Sequence, residues 1–313
     1  MVRMCALVGL LAAAPALAGS GPWVVGEGNG TLYTGIESQR IGNLAVSVGD
    51  ERVVLPVGEG ISTFGVKAIG TWGLTQRIEV EAEVPWFRVH ANRRDSQLCA
   101  DLGLNACATT TSLGVLRLGG KLLVLDELVG SPVSMSLGVQ SRFGNFTERT
   151  RARVTNVGEG TFDLGTWVSV GRTGALGSVG SYSVYGDVGY RYRFPNTGSY
   201  PNFEGDLRVP GNEFEGSLAA LVSPSPFVGF GPTTSVFWRP GGLDWDEVDL
   251  TDRDRFGALR VFNLRAGAQL ILRSRGGLSV SANAFGTLWT MNNPSDVFGV
   301  SLGVQVPLAV GER

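Results

Sequence analysis

The feature that most constrains this chain is a strict alternation of apolar and polar side chains, seen most clearly at residues 78–86. Every second residue from Ile78 to Trp86 is apolar, and Glu79, Glu81 and Glu83 lie between them. Successive side chains of a β-strand point to opposite faces, so this segment has one apolar and one acidic face. The pattern recurs about twelve times along the chain with no helical period between the repeats.

Long alternating strands of this kind favour an all-β protein. They predict a transmembrane antiparallel up-and-down β-barrel of about 12 strands, of the outer-membrane type, with lipid outside and an aqueous bore inside. A tandem of soluble β-sandwiches is the alternative, but that fold does not need strands of this length. After residue 18 no run approaches the length of apolar sequence that a membrane-spanning helix requires.

The first eighteen residues have the pattern of a cleaved secretory signal. Arg3 gives the positive start, residues 7–14 the apolar centre, and Ala16-Leu17-Ala18 the small-x-small cleavage site. We therefore expect export, with residues 19–313 forming the barrel. Residues 19–30, which precede the first strand, are expected in the periplasm or inside the bore.

Overall charge gives no reason to expect a nucleic-acid partner. The chain has 26 basic and 28 acidic residues, and charged residues make up only 17% of it. No glycine-rich segment opens a helix after a strand, so no nucleotide cofactor is expected, and no other cofactor is indicated.

Two cysteines follow the leader. Cys99 and Cys107 flank a short polar segment, and in an exported protein such a pair is most simply a disulfide. A metal site would need the only histidine, His90, together with carboxylates, and no spacing supports it. His90 also lies in no catalytic motif, so no enzymatic activity is expected.

The candidate strands form a series of hairpins. They are residues 29–40, 60–74, 77–90, 109–125, 132–145, 158–171, 179–194, 212–223, 226–239, 256–273, 277–290 and 296–308. Short links rich in Gly, Pro and Ser, at 74–77, 126–131, 172–178, 223–226 and 274–277, alternate with longer ones. The longer links are 41–59, 91–108, 146–157, 195–211, 240–255 and 291–295. Short periplasmic turns and long external loops are typical of outer-membrane barrels, and an even strand number places both termini in the periplasm.

One segment resembles a known family. Gly73-Leu74-Thr75-Gln76-Arg77 followed by an alternating strand ending in Pro85-Trp86 is similar to the hallmark of outer-membrane transporters known as meta-pathway phenol-degradation proteins. The resemblance implies a barrel that passes small hydrophobic or aromatic solutes, either inward or outward. Its hallmark covers only a small part of the chain.

The inward faces of the expected strands carry charges of both signs. The residues expected to line the bore are Lys67, Glu79, Glu81, Glu83, Arg117, Lys121, Gln140, Arg142, Asp187, Arg191, Arg193, Glu213, Glu215, Arg265 and Gln269. Opposite charges on neighbouring strands pair across the ladder. They either form a polar path that selects solutes, as charged rings do in pores, or neutralise one another and fill a narrow interior.

Two functional hypotheses therefore remain open. The first is a channel for a small-molecule solute, and the second is a non-conducting structural or surface-interaction barrel with a closed, salt-bridged lumen. Expected partners are outer-membrane lipid, lipopolysaccharide and the barrel-assembly machinery. The acidic segment 244–254 is expected to be a solvated loop rather than a metal site, since it lacks the pattern of a calcium loop.

Overall fold

The computed structural model describes residues 21–48, 51–91, 109–144, 162–178, 180–194, 211–247 and 259–309. The side chains of 56–60, 91 and 309 are not included in that description. The expected secretory signal, the cysteine pair Cys99 and Cys107, and residues 248–254 of the acidic segment lie outside the described residues.

Nearly all of the described chain is β-strand. The strands are β1 Asn29–Val48, β2 Glu51–Gly73, β3 Ile78–Ala91, β4 Thr110–Leu113, β5 Leu116–Leu125, β6 Ser134–Phe143, β7 Asp163–Leu176, β8 Gly180–Arg193, β9 Glu213–Ser225, β10 Val228–Arg239, β11 Val261–Arg273, β12 Ser279–Met291, β13 Asn293–Pro294 and β14 Val297–Ala309. A single turn of 3₁₀ helix, Glu127–Val129, lies between β5 and β6. The described residues include no helix that is long and apolar enough to cross a membrane.

The strands close into a barrel. Neighbours along the chain pair antiparallel, and β1 pairs with β2 on one edge and with β14 on the other, so no edge is left open. The consecutive segments β4 and β5 both pair with β3 and act as one strand, and the two-residue β13 pairs only with the extension of β1 at Leu44 and Ala45. The other strands give a closed barrel of 12. The predicted fold class is confirmed.

Burial follows the alternation in the direction expected for a membrane barrel. On β3, Glu79 and Glu83 are each 3% exposed, whereas Val80 and Val84, which follow them in the sequence, are 39% and 48% exposed. Apolar side chains therefore cover the outer surface, and polar ones face inward. This is the reverse of a soluble sandwich, and it follows because lipid rather than water solvates the exterior.

Aromatic rings form a belt on the outer surface at one end of the barrel. Neighbouring strands contribute rings in contact, such as Tyr190 with Phe214 and Phe214 with Trp238, at centroid distances of 5.1 and 5.4 Å. Phe262 and Trp289 continue the belt at 5.1 Å. Aromatic side chains favour the boundary between lipid and water. We call this end the long-loop end, because the strand ends that the long links join are found there, and the opposite end the short-turn end.

The largest departure from the expected strands is at 41–59, predicted as a loop. Instead β1 and β2 continue as a paired hairpin, from Asn43 opposite Pro56 to Val48 opposite Glu51. Leu44, Ala45 and Val46 are all buried, so both faces of this part of β1 are covered. With apolar residues on both faces, the segment has no alternation by which the sequence could reveal a strand.

Two other boundaries differ. The strand predicted at 158–171 corresponds to β7, Asp163–Leu176, which continues five residues beyond the predicted end. The predicted turn 172–178 is shorter in the structure and begins at Gly177, which has a positive φ of 68°. The predicted strand 109–125 is interrupted at residues 114–115, where the Gly114 amide donates to the Pro85 carbonyl at 2.8 Å.

Candidate functional site

The structure places every residue of the predicted bore-lining set on the inward face. Glu79, Glu83, Lys121, Arg142, Arg191, Arg193, Glu213, Arg265 and Gln269 are buried. Lys67, Glu81, Arg117, Gln140, Asp187 and Glu215 are partly exposed to the bore. Alternation along each strand places these side chains inward, because residues separated by an even number of positions point to the same face.

The most densely charged region lies in the bore near the long-loop end, and we call it the ion-pair cluster. It consists of Arg142, Asp163, Arg191, Arg193, Glu213, Glu215 and Arg239. These residues converge because β6 to β10 all begin or end at this level.

Glu213 is the centre of the ion-pair cluster. Its side chain is 1% exposed and Oε1 accepts from Arg193 Nη1 and from Arg239 Nε, each at 3.1 Å, and the carboxylate also contacts Arg191. Around it, Arg142 Nη2 lies 3.0 Å from Glu215 Oε2, and Arg193 Nε lies 3.5 Å from Asp163 Oδ1. Three buried guanidiniums, those of Arg191, Arg193 and Arg239, therefore share this carboxylate.

A second set of ion pairs joins β3 to β5. Glu83 is opposite Arg117 in the ladder and Glu79 is opposite Lys121, with N–O distances of 3.4 and 2.8 Å. The Glu79–Lys121 pair is buried on both sides. It is also the attachment point for the segment described next.

The chain before β1 lies inside the barrel at the short-turn end. We call residues 21–28 the N-terminal segment. The carbonyls of Gly21 and Trp23 in this segment accept hydrogen bonds from Lys121 Nζ, at 3.2 and 2.6 Å. The Val25 amide donates to Glu79 Oε2 at 2.9 Å. The segment is thus held by the wall at β3 and β5.

The other side of the N-terminal segment reaches β8. The Trp23 ring packs edge-on against Tyr185, with centroids 5.6 Å apart, and its Nε1 donates to Glu127 Oε1 at 3.1 Å. Gly21 and Pro22 are buried. The segment leads into β1, and β1 and β8 are six places apart around the 12 strands, so the segment crosses the bore.

Glu127, in the short turn between β5 and β6, is a pH-sensitive part of this attachment. Burial alone would raise the pKa of its carboxyl, but hydrogen bonds from the Thr173 hydroxyl and amide and from Trp23, with the charge of Arg172, hold the pKa below its ordinary value. The attachment that Glu127 provides is therefore complete above an ordinary carboxyl pKa of 4.5 and is lost as the pH falls through the lowered value.

We expect the Trp23 contact to weaken on acidification for this reason. The indole N–H resonance of Trp23, assigned with a Trp23→Phe variant, should stay constant near neutral pH and shift only below the ordinary carboxyl pKa. A Glu127→Gln variant is the control and should show no such titration. A resonance that moves equally in both proteins would contradict the role assigned to Glu127.

Inward aromatic rings lie flat against the wall where a glycine faces them. A methyl group at Gly138 would overlap the Trp167 ring, and one at Gly303 would overlap the Tyr33 ring. The glycines are needed for this close approach. The rings therefore line the bore without crossing it.

Several inward residues were not singled out from the sequence. Asp163 and Arg239 lie within predicted strands, and the alternation could have placed them beside Arg193 and Glu213. Tyr33 and Glu37 follow the same alternation on β1. The N-terminal segment gave no such signal, because its position depends on contacts with strands distant in sequence.

His90 and the acidic segment 244–254 are the parts of the chain that the sequence raised as candidates for catalysis or metal binding. His90 is exposed, and its Nδ1 lies 2.8 Å from Thr109 Oγ1. Asp244 pairs with Arg260 and contacts the Ser47 hydroxyl, while Trp245 is buried. Within the described ranges, no group of three or more His, Cys, Asp or Glu side chains is arranged to hold a metal ion.

Comparison with solved structures agrees with this architecture. An outer-membrane channel from Pseudomonas putida F1 matches with a TM-score of 0.67 at 14% identity, over 92% of this chain and 98% of that chain. The fold is that of an outer-membrane β-barrel. The porin KdgM, in complex with disordered oligogalacturonate, matches with a TM-score of 0.43 at 7% identity, over 88% of this chain and 97% of that one.

The porin NanC gives a TM-score of 0.46 at 7% identity, over 87% of this chain and 98% of its own. No protein-family model matches the sequence, and no curated protein matches it.

Proposed function

We propose that this protein is an outer-membrane channel for small solutes whose bore is closed at rest by the N-terminal segment. The observation that carries the proposal is the crossing of the bore by residues 21–28. Apart from one backbone bond at its end, from the Gly28 amide to the Gly73 carbonyl at 3.1 Å, the segment is held there by the side chains of Lys121, Glu79 and Glu127. It is not a strand of the wall. Such a segment can leave while the barrel stays intact.

The short-turn end faces the periplasm in this proposal. Outer-membrane barrels have short periplasmic turns and long external loops. The aromatic belt then lies at the outer leaflet, in contact with lipopolysaccharide, and the assembly machinery inserts the barrel with its N-terminal segment on the periplasmic side. Export by a cleaved signal is part of the same proposal.

The solute we propose is small and in part aromatic or hydrophobic, moving passively inward or outward. Flat rings on the bore wall, including Trp167 and Tyr33, support this solute class because they offer apolar surface among the charged side chains. The bore-lining charges would orient a solute as it passes.

Planar-bilayer recording tests the channel. Deletion of residues 21–27 is expected to raise the open fraction and the mean current several-fold over the intact chain. A matched chain in which the same residues are replaced by a Gly-Ser linker of equal length should behave like the deletion, since it loses the contacts but keeps the length. Heat-modifiable electrophoretic mobility establishes that each variant is folded.

The ion-pair cluster favours the second candidate function, a closed structural barrel. The side chains of Glu213 and Arg239 are each only 1% exposed, so the bore is densely filled beside β6 to β10 at this end. If the intact chain, the deletion and the linker variant are all silent, and liposomes swell with none of sugars, amino acids and phenols, the structural role replaces the channel.

A further inference from the structure

Two arginines face outward from the barrel near its long-loop end. Arg40 on β1 and Arg88 on β3 are both exposed. Each shares the outward face of its strand with an apolar residue four positions earlier, Ile36 and Val84, which are 44% and 48% exposed. Neither arginine therefore contributes to the bore.

Aromatic rings flank both arginines. Arg40 is opposite Phe298 in the ladder between β1 and β14, and Arg88 is opposite Phe64 in the ladder between β2 and β3. Phe64 packs edge-on against Trp86, with ring centroids 6.4 Å apart. Aromatic side chains favour the boundary between lipid and water. Because Arg88 lies two residues beyond Trp86 toward the long-loop end, we place the guanidiniums at the level of the lipid headgroups.

Neither guanidinium has an anionic partner within the described part of the chain. Arg40 and Arg88 form no ion pair there, and Asp296, which is exposed two residues from Phe298, forms none with Arg40. From this level to the short-turn end, the described outward positions of β1, β2, β3 and β14 carry no acidic side chain. An arginine on the lipid face is costly at the middle of a bilayer but costs little near its surface. Both charges are therefore placed to meet an anion of the surrounding lipid.

Two further polar groups lie beside the arginines. Ser62 of β2 is opposite Arg40 on one side and His90 on the other, so the three residues form a row across β1, β2 and β3. Two strand spacings place the Cα atoms of Arg40 and His90 about 10 Å apart. We call Arg40, Ser62, Arg88 and His90 the arginine face. A guanidinium donates two parallel hydrogen bonds to a phosphate, and a hydroxyl or imidazole N–H can donate to its other oxygens.

We infer that the arginine face binds a phosphorylated headgroup of lipopolysaccharide in the outer leaflet. This lipid presents phosphates at the headgroup level and acyl chains below them, which matches arginines placed above an apolar strand surface. The row is about 10 Å long, which is longer than one phosphate and fits a sugar headgroup that carries phosphate. The inference rests on the proposed function for its orientation, because the long-loop end meets the outer leaflet only in that orientation.

Native mass spectrometry of the full chain in detergent micelles tests binding without reference to conduction. The probes are purified lipid A with both phosphates, the same lipid A after enzymatic removal of the phosphates, and dipalmitoyl phosphatidylglycerol. Lipid A is expected to bind at least about tenfold more tightly than either of the others, since charge-assisted hydrogen bonds to its phosphates are lost in the second probe. Equal affinity for lipid A and its dephosphorylated form, or for lipid A and phosphatidylglycerol, overturns the inference.

Variants then locate the site. The double variant Arg40→Gln with Arg88→Gln is expected to bind lipid A at least about tenfold more weakly than the natural chain. The matched control is Arg77→Gln with Arg275→Gln, which removes the same charge from two exposed arginines in the turns at the short-turn end. Its lipid A affinity should equal that of the natural chain, and an equal loss in both double variants would overturn the assignment.

Replacement by lysine separates charge from a structural effect. Arg40→Lys with Arg88→Lys keeps both charges and should recover most of the affinity that the glutamine variant loses, although not the paired hydrogen bonds of a guanidinium. Heat-modifiable electrophoretic mobility establishes that each variant is folded. A folded lysine variant that binds lipid A as weakly as the glutamine variant would show that the charges do not hold the lipid, and would overturn the inference.

Two outcomes distinguish this inference from the proposed function. A barrel that conducts after deletion of 21–27 but does not prefer lipid A to its dephosphorylated form loses the lipid site and keeps the channel. A barrel that binds lipid A through Arg40 and Arg88 but never conducts keeps the lipid site and loses the channel.

Discussion

Glu213→Gln is expected to destabilise the barrel more than any other single neutralisation in the bore. Glu213 is in contact with Arg191, Arg193 and Arg239, all of them nearly inaccessible to solvent. Removing one partner of a buried ion pair typically costs about 3–5 kcal/mol, because the remaining charge is buried without compensation. Arg193 keeps its contact with Asp163, and Arg191 keeps contacts with Asp163 and Glu215, so the cost should lie within that range.

Urea unfolding of the refolded barrel in detergent measures this cost. Glu215→Gln is the matched control, since it makes the same change two residues along β9, on the same inward face. The Glu215 side chain is 37% exposed, so its carboxylate is already partly solvated in the folded barrel, and its loss should cost less than that of Glu213. If both variants unfold at the same urea concentration, Glu213 is not the centre of the cluster.

A double variant separates charge from shape. Adding Arg239→Gln to Glu213→Gln removes one of the stranded cations while it keeps side chains of similar size. Part of the lost stability should return, because mutations within one ion-pair network are not additive. If the double variant loses as much free energy of unfolding as the two single variants together, packing rather than charge balance holds this end of the bore.

Much of the fold could be predicted because each strand carries its own signal. The alternation at Ile78–Trp86 gives both the strand and its outward face, and lipid makes the outward face apolar. The alternation is lost where a strand does not have lipid on one face and the bore on the other. Leu44, Ala45 and Val46 are buried on both faces, and the β1–β2 hairpin was therefore predicted as a loop.

The charged bore was predictable for a related reason. Glu79 and Glu83 share a face by their spacing alone, and the ladder places Lys121 and Arg117 opposite them. The arrangement in three dimensions was not predictable. Arg142 reaches Glu215, which is three strands away around the barrel, and no pairing of neighbouring strands indicates that contact. The position of Trp23 beside Tyr185 is hidden from the sequence for the same reason.

Lys121→Met is expected to open the channel without removing any of the N-terminal segment. Lys121 Nζ donates to two carbonyls of that segment and lies 2.8 Å from Glu79 Oε1. A hydrogen bond from a charged group contributes about 1.5–3 kcal/mol, and a difference of 1.4 kcal/mol is a factor of ten in an equilibrium. Loss of these bonds should therefore raise the ratio of released to bound segment by at least about tenfold.

The open fraction in planar bilayers, compared between the intact chain and the variant, measures this ratio. Arg117→Met is the matched control, because Arg117 lies on the same strand and pairs with Glu83 as Lys121 pairs with Glu79. Among the described residues, Arg117 makes no hydrogen bond to the backbone of the N-terminal segment. It should leave the open fraction nearly unchanged. An equal rise in both variants would mean that any loss of bore charge increases conduction, and the N-terminal segment would then not be the gate. A rise in Lys121→Met alone, matched by the deletion of 21–27, would locate the gate at the contact between Lys121 and the carbonyls of Gly21 and Trp23.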